Sequence, residues 1–162
     1  MNSEQSRTEE LHTLGALLRV SMDALLTHVY EELRHSGFTD LRITHGAVLR
    51  HISRGGCRIT TLAERAGMTK QSMAELVEYL REKGYAKLGA DQSDRRAKLV
   101  QLTARGWKAH SALVRSSRAY EKQCARELGE ARWRELRELL EQLADWSARQ
   151  SHLPSAAKSS VE

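Results

Sequence analysis

Proline is almost missing from this 162-residue chain, which has only Pro154, and there is a single phenylalanine, Phe38. Without proline, helices run uninterrupted, and aromatic residues at only 5% supply little for the packed faces of a β-sandwich. The composition therefore favours helix. There are two cysteines, Cys57 and Cys124, far apart and in no CxxC pair. No apolar run approaches the roughly 18 residues of a membrane span, and the polar stretch Met1–Glu10 is not expected to act as a secretory leader. These absences predict a cytoplasmic protein with reduced thiols and no membrane partner. The histidines (His12, His28, His35, His45, His51, His110, His152) form no HExxH and no Cys/His cluster, so no metal and no cofactor are expected. No Gly-rich phosphate loop, paired carboxylates or Ser/His/Asp set stands out either, and the chain is not expected to be an enzyme.

What is present is an ordinary globular balance, 40% hydrophobic and 29% charged, with a net charge of +5. The charge is unevenly spread. Between Arg54 and Lys108 there are 12 Lys/Arg against 6 Asp/Glu, a net of +6, which leaves 14 against 15 for the rest, a net of −1. A basic middle third flanked by neutral ends suits a nucleic-acid partner.

Hydrophobic periodicity sets the frame. From Thr8 to His35 the residues Leu11, Leu14, Leu18, Met22, Leu25, Val29 and Leu33 form one stripe on a long helix that ends at Gly37. A second helical segment is predicted from about Thr44 to Ser53, with Gly55-Gly56 as its stop. Thr61 and Glu64 have the spacing of a capping box that opens a third helix, closed by Gly67. Thr69 caps a fourth, which runs to about Lys83 and Gly84. Short alternating runs from Tyr85 and to Leu102 flank a polar, charged turn and predict a β-hairpin. Thr103 restarts helix to about Leu128. After Gly129 a last helix carries Trp133, Leu136, Leu139, Leu140, Leu143 and Trp146.

The two short helices joined at Gly67 read as a helix-turn-helix. In the second of them Met73, Leu76, Val77 and Leu80 make the inner face, which leaves Gln71, Glu75, Glu78 and Glu82 outward, with Lys70 and Ser72 beside them. A recognition helix presents its N-terminal outward residues to base edges. Gln71 can pair bidentately with adenine, Glu75 can accept from cytosine N4, and Lys70 suits guanine or phosphate. An αα-hairpin in a plain helical bundle shows similar glycine and capping residues, so a second feature is needed. The hairpin tip supplies it: Asp94-Arg95-Arg96-Ala97-Lys98 places adjacent arginines where they can enter a narrow minor groove, and Asp94 can hold the Arg96 guanidinium in a fixed direction.

Helix-turn-helix, hairpin and flanking long helices, in that order, resemble the MarR (multiple antibiotic resistance regulator) family. The residues that carry the resemblance are Leu62-Ala63-Glu64-Arg65-Ala66-Gly67-Met68-Thr69-Lys70-Gln71-Ser72, then Gly84-Tyr85, then Asp94-Arg95-Arg96 running into Leu102-Thr103-Ala104-Arg105-Gly106. The resemblance implies a homodimer built from the first and last helices, a palindromic double-stranded DNA operator, and release by a small, often anionic aromatic effector or by an oxidant. The hydroperoxide-sensing branch of the family carries a cysteine early in the first helix, whereas Leu11 to His35 has none. A redox response would have to use Cys57 or Cys124, whose simpler role is as small buried hydrophobes.

The expected fold is mainly α with a small β-hairpin wing: a winged helix-turn-helix region at 40–103, dimerisation helices at 8–35 and 104–147, and a mobile tail at 148–162. The expected DNA-binding residues are Thr61, Thr69, Lys70, Gln71, Ser72, Glu75, Arg95, Arg96 and Lys98, with Asp94 orienting the wing. The expected dimer interface is Leu11, Leu14, Leu18, Leu25, Trp133, Leu136, Leu140 and Leu143. The main rival is a non-specific architectural DNA protein. A carboxylate facing DNA argues against it, because Glu75 weakens generic phosphate binding and makes sense when it reads a base.

Overall fold

The computed structural model describes residues 13–91 and 98–151. It divides into two compact units, residues up to Tyr120 and residues from Glu121 onward. Leu11, Asp94, Arg95 and Arg96 lie outside the described residues.

The first unit opens with α1, Leu14–His35, whose N-cap Thr13 accepts the Ala16 N–H. The long stripe divides in two. Val29, Tyr30 and Leu33 enter the core, and Leu25 packs against it. Leu14, Leu18 and Met22 are 58%, 41% and 52% exposed, so half the apolar face of α1 has no cover within the unit. A 3-10 turn, Ile43–His45, leads into α2, Gly46–His51, a shorter helix than the predicted segment.

A two-residue strand β1, Cys57–Arg58, runs straight into α3, Ile59–Ala66. The Thr61 capping box is therefore not formed. Thr61 sits inside the first turn and Arg58 is the N-cap, without a side-chain cap bond. Strand geometry at Cys57–Arg58 delivers the chain to the helix three residues early. Gly67 closes α3 at φ +61, with Gly67 N–H donating to Glu64 O and Met68 N–H to Ala63 O. That left-handed turn strains any residue with a β-carbon. Helix α4, Lys70–Glu82, follows from its cap Thr69, whose hydroxyl accepts the Ser72 N–H at 3.1 Å. Met73, Val77 and Leu80 are buried under it, as the spacing requires.

Strands β2, Ala86–Ala90, and β3, Lys98–Leu102, form the hairpin, and β3 also pairs with β1, giving an antiparallel sheet in the order β1-β3-β2. The third strand was not expected; two residues are too short to show periodicity. Val100 stands between Cys57 and Leu88 in the register and is fully buried. The core of this unit draws on its α-helices and on all three strands, and Leu33, Val48, Leu49, Leu62, Met73, Leu80, Tyr85 and Val100 are all essentially inaccessible. Helix α5, Ala104–Leu128, adds Ala109 and Ala112 to it.

The second unit holds the end of α5 and α6, Glu130–Ser151, joined at Gly129 with φ +86. Arg137 binds Glu121 at 3.2 Å and Glu141 at 3.4 Å. Trp133 and Leu143 are half-buried, while Leu136, Leu139, Leu140 and Trp146 are exposed. Helix α6 continues to Ser151, past the residue-147 boundary set for the tail, because Ser147-Ala-Arg-Gln contains nothing that stops a helix.

Candidate nucleic-acid interface

The N-terminal turn of α4 presents the predicted reading residues. Lys70, Gln71 and Glu75 are exposed, and among the described residues none of the three side chains makes a hydrogen bond or ion pair. Their polar atoms are thus available to a ligand. Thr69 and Ser72 are committed to the helix cap, since the Thr69 hydroxyl donates to Ser72 Oγ at 2.9 Å while accepting the Ser72 amide. Further along, Glu78 is taken by a two-pronged contact with Arg81 at 2.9 and 2.5 Å. Those bonds from Arg81 hold the Glu78 carboxyl below the usual carboxylate range. The free side chains therefore cluster at the N-terminal end, where a helix laid into a major groove touches bases.

The hairpin places Lys98, exposed, at the start of β3 opposite Ala90. At the other strand end, Asp91 is nearly buried and accepts from Arg58 Nε at 2.8 Å and Arg58 Nη2 at 2.6 Å. This pair ties the root of the wing to the residue that opens α3. Sequence reading gave the orienting role to Asp94 and passed over Asp91. No spacing rule connects positions 58 and 91; only the β1-β3-β2 order brings them together.

A second missed cluster surrounds Asp40. Tyr85 Oη donates to the Asp40 carboxylate at 2.5 Å, Arg105 Nη2 donates to Tyr85 Oη at 2.9 Å, and Tyr79 Oη donates to the Asp40 carbonyl at 2.7 Å. The Arg105 guanidinium also lies 4.4 Å from the Tyr85 ring centroid. Burial first, and the bond to Asp40 second, push the Tyr85 phenol up to about 12. The C-terminal half of α4 is thereby fastened through Tyr79 to the loop after α1, and the segment that follows it is fastened through Tyr85 to the same loop and to the start of α5.

The Leu-Thr-x-x-Gly signature also has a geometric reason. Thr103 Oγ1 donates to the Gly84 carbonyl at 2.6 Å and accepts the Gly106 N–H at 3.1 Å, and the Thr103 N–H donates to Tyr85 O at 2.9 Å. A β-carbon at Gly106 would lie 2.1 Å from the Tyr85 carbonyl oxygen. Only glycine lets α5 cross that close to the exit of the recognition helix.

Of the remaining site residues, Thr61 is half-buried inside α3, and Cys57 is buried in the core with the Arg65 guanidinium 3.9 Å from its sulfur. Among the described residues no group of His, Cys, Asp and Glu could hold a metal ion, and no helix is long and apolar enough to cross a membrane. A cleft of about 490 Å³ in the first unit is lined by Ile52, Arg54, Trp107, His110, Val114, Arg115 and Arg118. In it the His110 ring meets Trp107 edge-on at 5.3 Å.

Comparison with known proteins agrees with this geometry. Residues 36–97 match the MarR family model. No protein of curated function matches the chain. Among solved structures, the Mycobacterium tuberculosis MarR family protein Rv2887, in complex with salicylic acid, is 28% identical with a TM-score of 0.62, covering 81% of this chain and 96% of that one. MarR itself is 23% identical with a TM-score of 0.70, covering 84% and 98%. CouR from Rhodococcus jostii RHA1, bound to p-coumaroyl-CoA, is 24% identical with a TM-score of 0.65, covering 82% and 92%. The family model spans the helix-turn-helix and the first wing strand, ending just before β3, and these solved structures share the fold over most of the chain. Over residues 36–97 the chain is similar to the MarR family, and its winged helix-turn-helix fold is the one these MarR family transcription regulators share.

Proposed function

We propose that this chain is a MarR-type, DNA-binding transcription regulator that works as a homodimer, represses transcription from an inverted-repeat operator and lets go of the DNA when a small anionic aromatic molecule binds. The observation that carries the reading is the set of exposed, unengaged side chains Lys70, Gln71 and Glu75 on the first turns of α4. A free carboxylate amid basic charge favours base reading over generic phosphate binding. Dimerisation is supported by the uncovered apolar surface on the N-terminal half of α1 and on α6, where Leu14, Leu18, Leu136, Leu140 and Trp146 are 38% to 58% exposed. Leu14, Leu18, Leu136 and Leu140, with Trp133 and Leu143, would meet their counterparts in the second copy, whereas Leu25 already packs on its own core. The Arg54, Arg115 and Arg118 cleft beside Trp107 suits an aromatic carboxylate, since guanidinium forks match carboxylates and the indole offers a stacking face. Salicylate in the M. tuberculosis relative has that chemistry.

Selection of duplexes from a random pool tests the reading. The recovered DNA is expected to contain an inverted repeat with half-site centres roughly 34 Å apart, with light scattering giving a dimer. Recovery of a single half-site bound as tightly as the repeat, or a stable monomer at micromolar concentration, would refute it. Salicylate is then expected to release the selected duplex from the wild type but not from Arg115→Ala.

A further inference from the structure

Behind the recognition helix lies a buried histidine that the DNA contacts do not use. His45 is 5% exposed at the end of the 3-10 turn, and its ring stacks on Tyr79 of α4 with centroids 4.4 Å apart and planes only 9° from parallel. Its Nδ1 accepts the Arg42 N–H at 3.0 Å. An acceptor nitrogen carries no proton, so this geometry requires the neutral ring with its hydrogen on Nε2. Tyr79 in turn donates from Oη to the Asp40 carbonyl, so turn, loop and recognition helix form one stack.

We infer that His45 is a positioning residue for the recognition helix: its neutral ring, seated between the Arg42 amide and the Tyr79 face, holds α4 in its DNA-reading orientation, and protonation releases it. The inference rests on α4 being the element that reads DNA. A proton added at Nδ1 points at the Arg42 N–H, two donors face each other, and the bond is lost. The surrounding groups do little to welcome the charge. Arg42 and Asp40 flank the ring from its own loop. Tyr79 faces it from α4, with the Lys83 ammonium 5.7 Å from the Tyr79 ring centroid. Tyr30 of α1 donates to the Ile43 carbonyl at 3.3 Å, and Arg50 of α2 lies beside Gly46. Burial first, then Arg42, hold His45 below the usual imidazole range against the smaller pull of Asp40. A depressed histidine binds more protons in the released state than in the folded one. The seat is therefore fully held above the ordinary imidazole range and is lost as pH falls through it toward the lowered value.

Electrostatics alone predicts the opposite trend, because protonating histidines adds positive charge and should tighten binding to any duplex. The test uses the full-length protein, a duplex selected from a random pool at about pH 8, and an unselected duplex, both titrated at fixed ionic strength down to about pH 5.5. Wild type is expected to lose about tenfold in affinity for the selected duplex on acidification while binding to the unselected one does not weaken. His45→Asn keeps an acceptor near the Nδ1 position and cannot titrate; its loss should shrink to under about threefold. A wild type that tightens on both duplexes, or a His45→Asn protein that loses as much as wild type, overturns the inference. Should His45→Asn not fold by circular dichroism, Tyr79 decides. Tyr79→Leu should bind the selected duplex about tenfold more weakly at about pH 8 with unselected binding unchanged, and Tyr79→Phe, which keeps the stack but loses the bond to the Asp40 carbonyl, should fall between Tyr79→Leu and wild type. Equal binding by Tyr79→Leu and wild type also overturns it. If no sequence preference exists even at about pH 8, the reading of α4 itself fails together with the inference.

Discussion

Replacing Gly106 with alanine should destabilise the protein although alanine is the better helix former. Propensity favours the change by about 1 kcal/mol in a helix interior. The structure opposes it. The new β-carbon would sit 2.1 Å from the Tyr85 carbonyl oxygen and 3.1 Å from the Leu102 β-carbon. A carbon–oxygen contact needs about 3 Å or more, so the start of α5 must retreat by roughly 1 Å from a backbone that cannot bend away, because Tyr85 is fully buried. Overpacking of this kind costs about 1–3 kcal/mol. The retreat also stretches the Thr103 bonds to Gly84 O and Tyr85 O, at 2.6 and 2.9 Å, and pulls on the Thr103 hydroxyl that caps α5 by accepting the Gly106 N–H at 3.1 Å. Losing a cap costs about 1 kcal/mol more. The net expectation is a loss of about 1–3 kcal/mol, read as a lower urea midpoint by circular dichroism with an unchanged slope. Gly15→Ala is the control, since a β-carbon there meets nothing within 4 Å, and it should be neutral or stabilising. A Gly106→Ala protein as stable as wild type would refute the close approach and the reason given for the Leu-Thr-x-x-Gly signature.

The other expectations concern the DNA-reading surface. Gln71→Ala and Glu75→Ala should each cost about 1–3 kcal/mol on the selected duplex and relax preference at one position per half-site; an equal loss on unselected DNA would make the residue a backbone contact. Asp91→Ala removes a negative charge from the wing root, yet it should weaken operator binding because Arg58 loses the carboxylate that ties β2 to α3. Tighter binding in a gel-shift titration would show plain electrostatics instead. Thr69→Ala removes the hydroxyl that accepts the Ser72 N–H, and the urea midpoint should report about 1 kcal/mol lost; no change would mean that water caps α4 equally well.

Local chemistry was legible in the sequence because it depends on neighbours in the chain. The αL turn at Gly67, the Thr69 cap, the inward set Met73, Val77 and Leu80, and the outward set Lys70, Gln71 and Glu75 follow from 3.6-residue periodicity and from what a β-carbon forbids. The basic middle third follows from composition alone. Thr61 shows the limit of such reading: its spacing to Glu64 fits a capping box, but strand pairing of Cys57 and Arg58 with β3 starts the helix earlier. What only the tertiary structure decided are contacts between positions far apart in the chain: Arg58 with Asp91, Asp40 with Tyr79 and Tyr85, His45 against Tyr79, and the backbone of Gly106 against that of Tyr85. The apolar stripe of α1 makes the same point. Its period announces a buried face, but only the packed unit shows that Val29 and Leu33 are covered within the chain while Leu14 and Leu18 are left open. Periodicity records which side of a helix is apolar. Which neighbour covers it is a property of three-dimensional packing, and no local pattern encodes that.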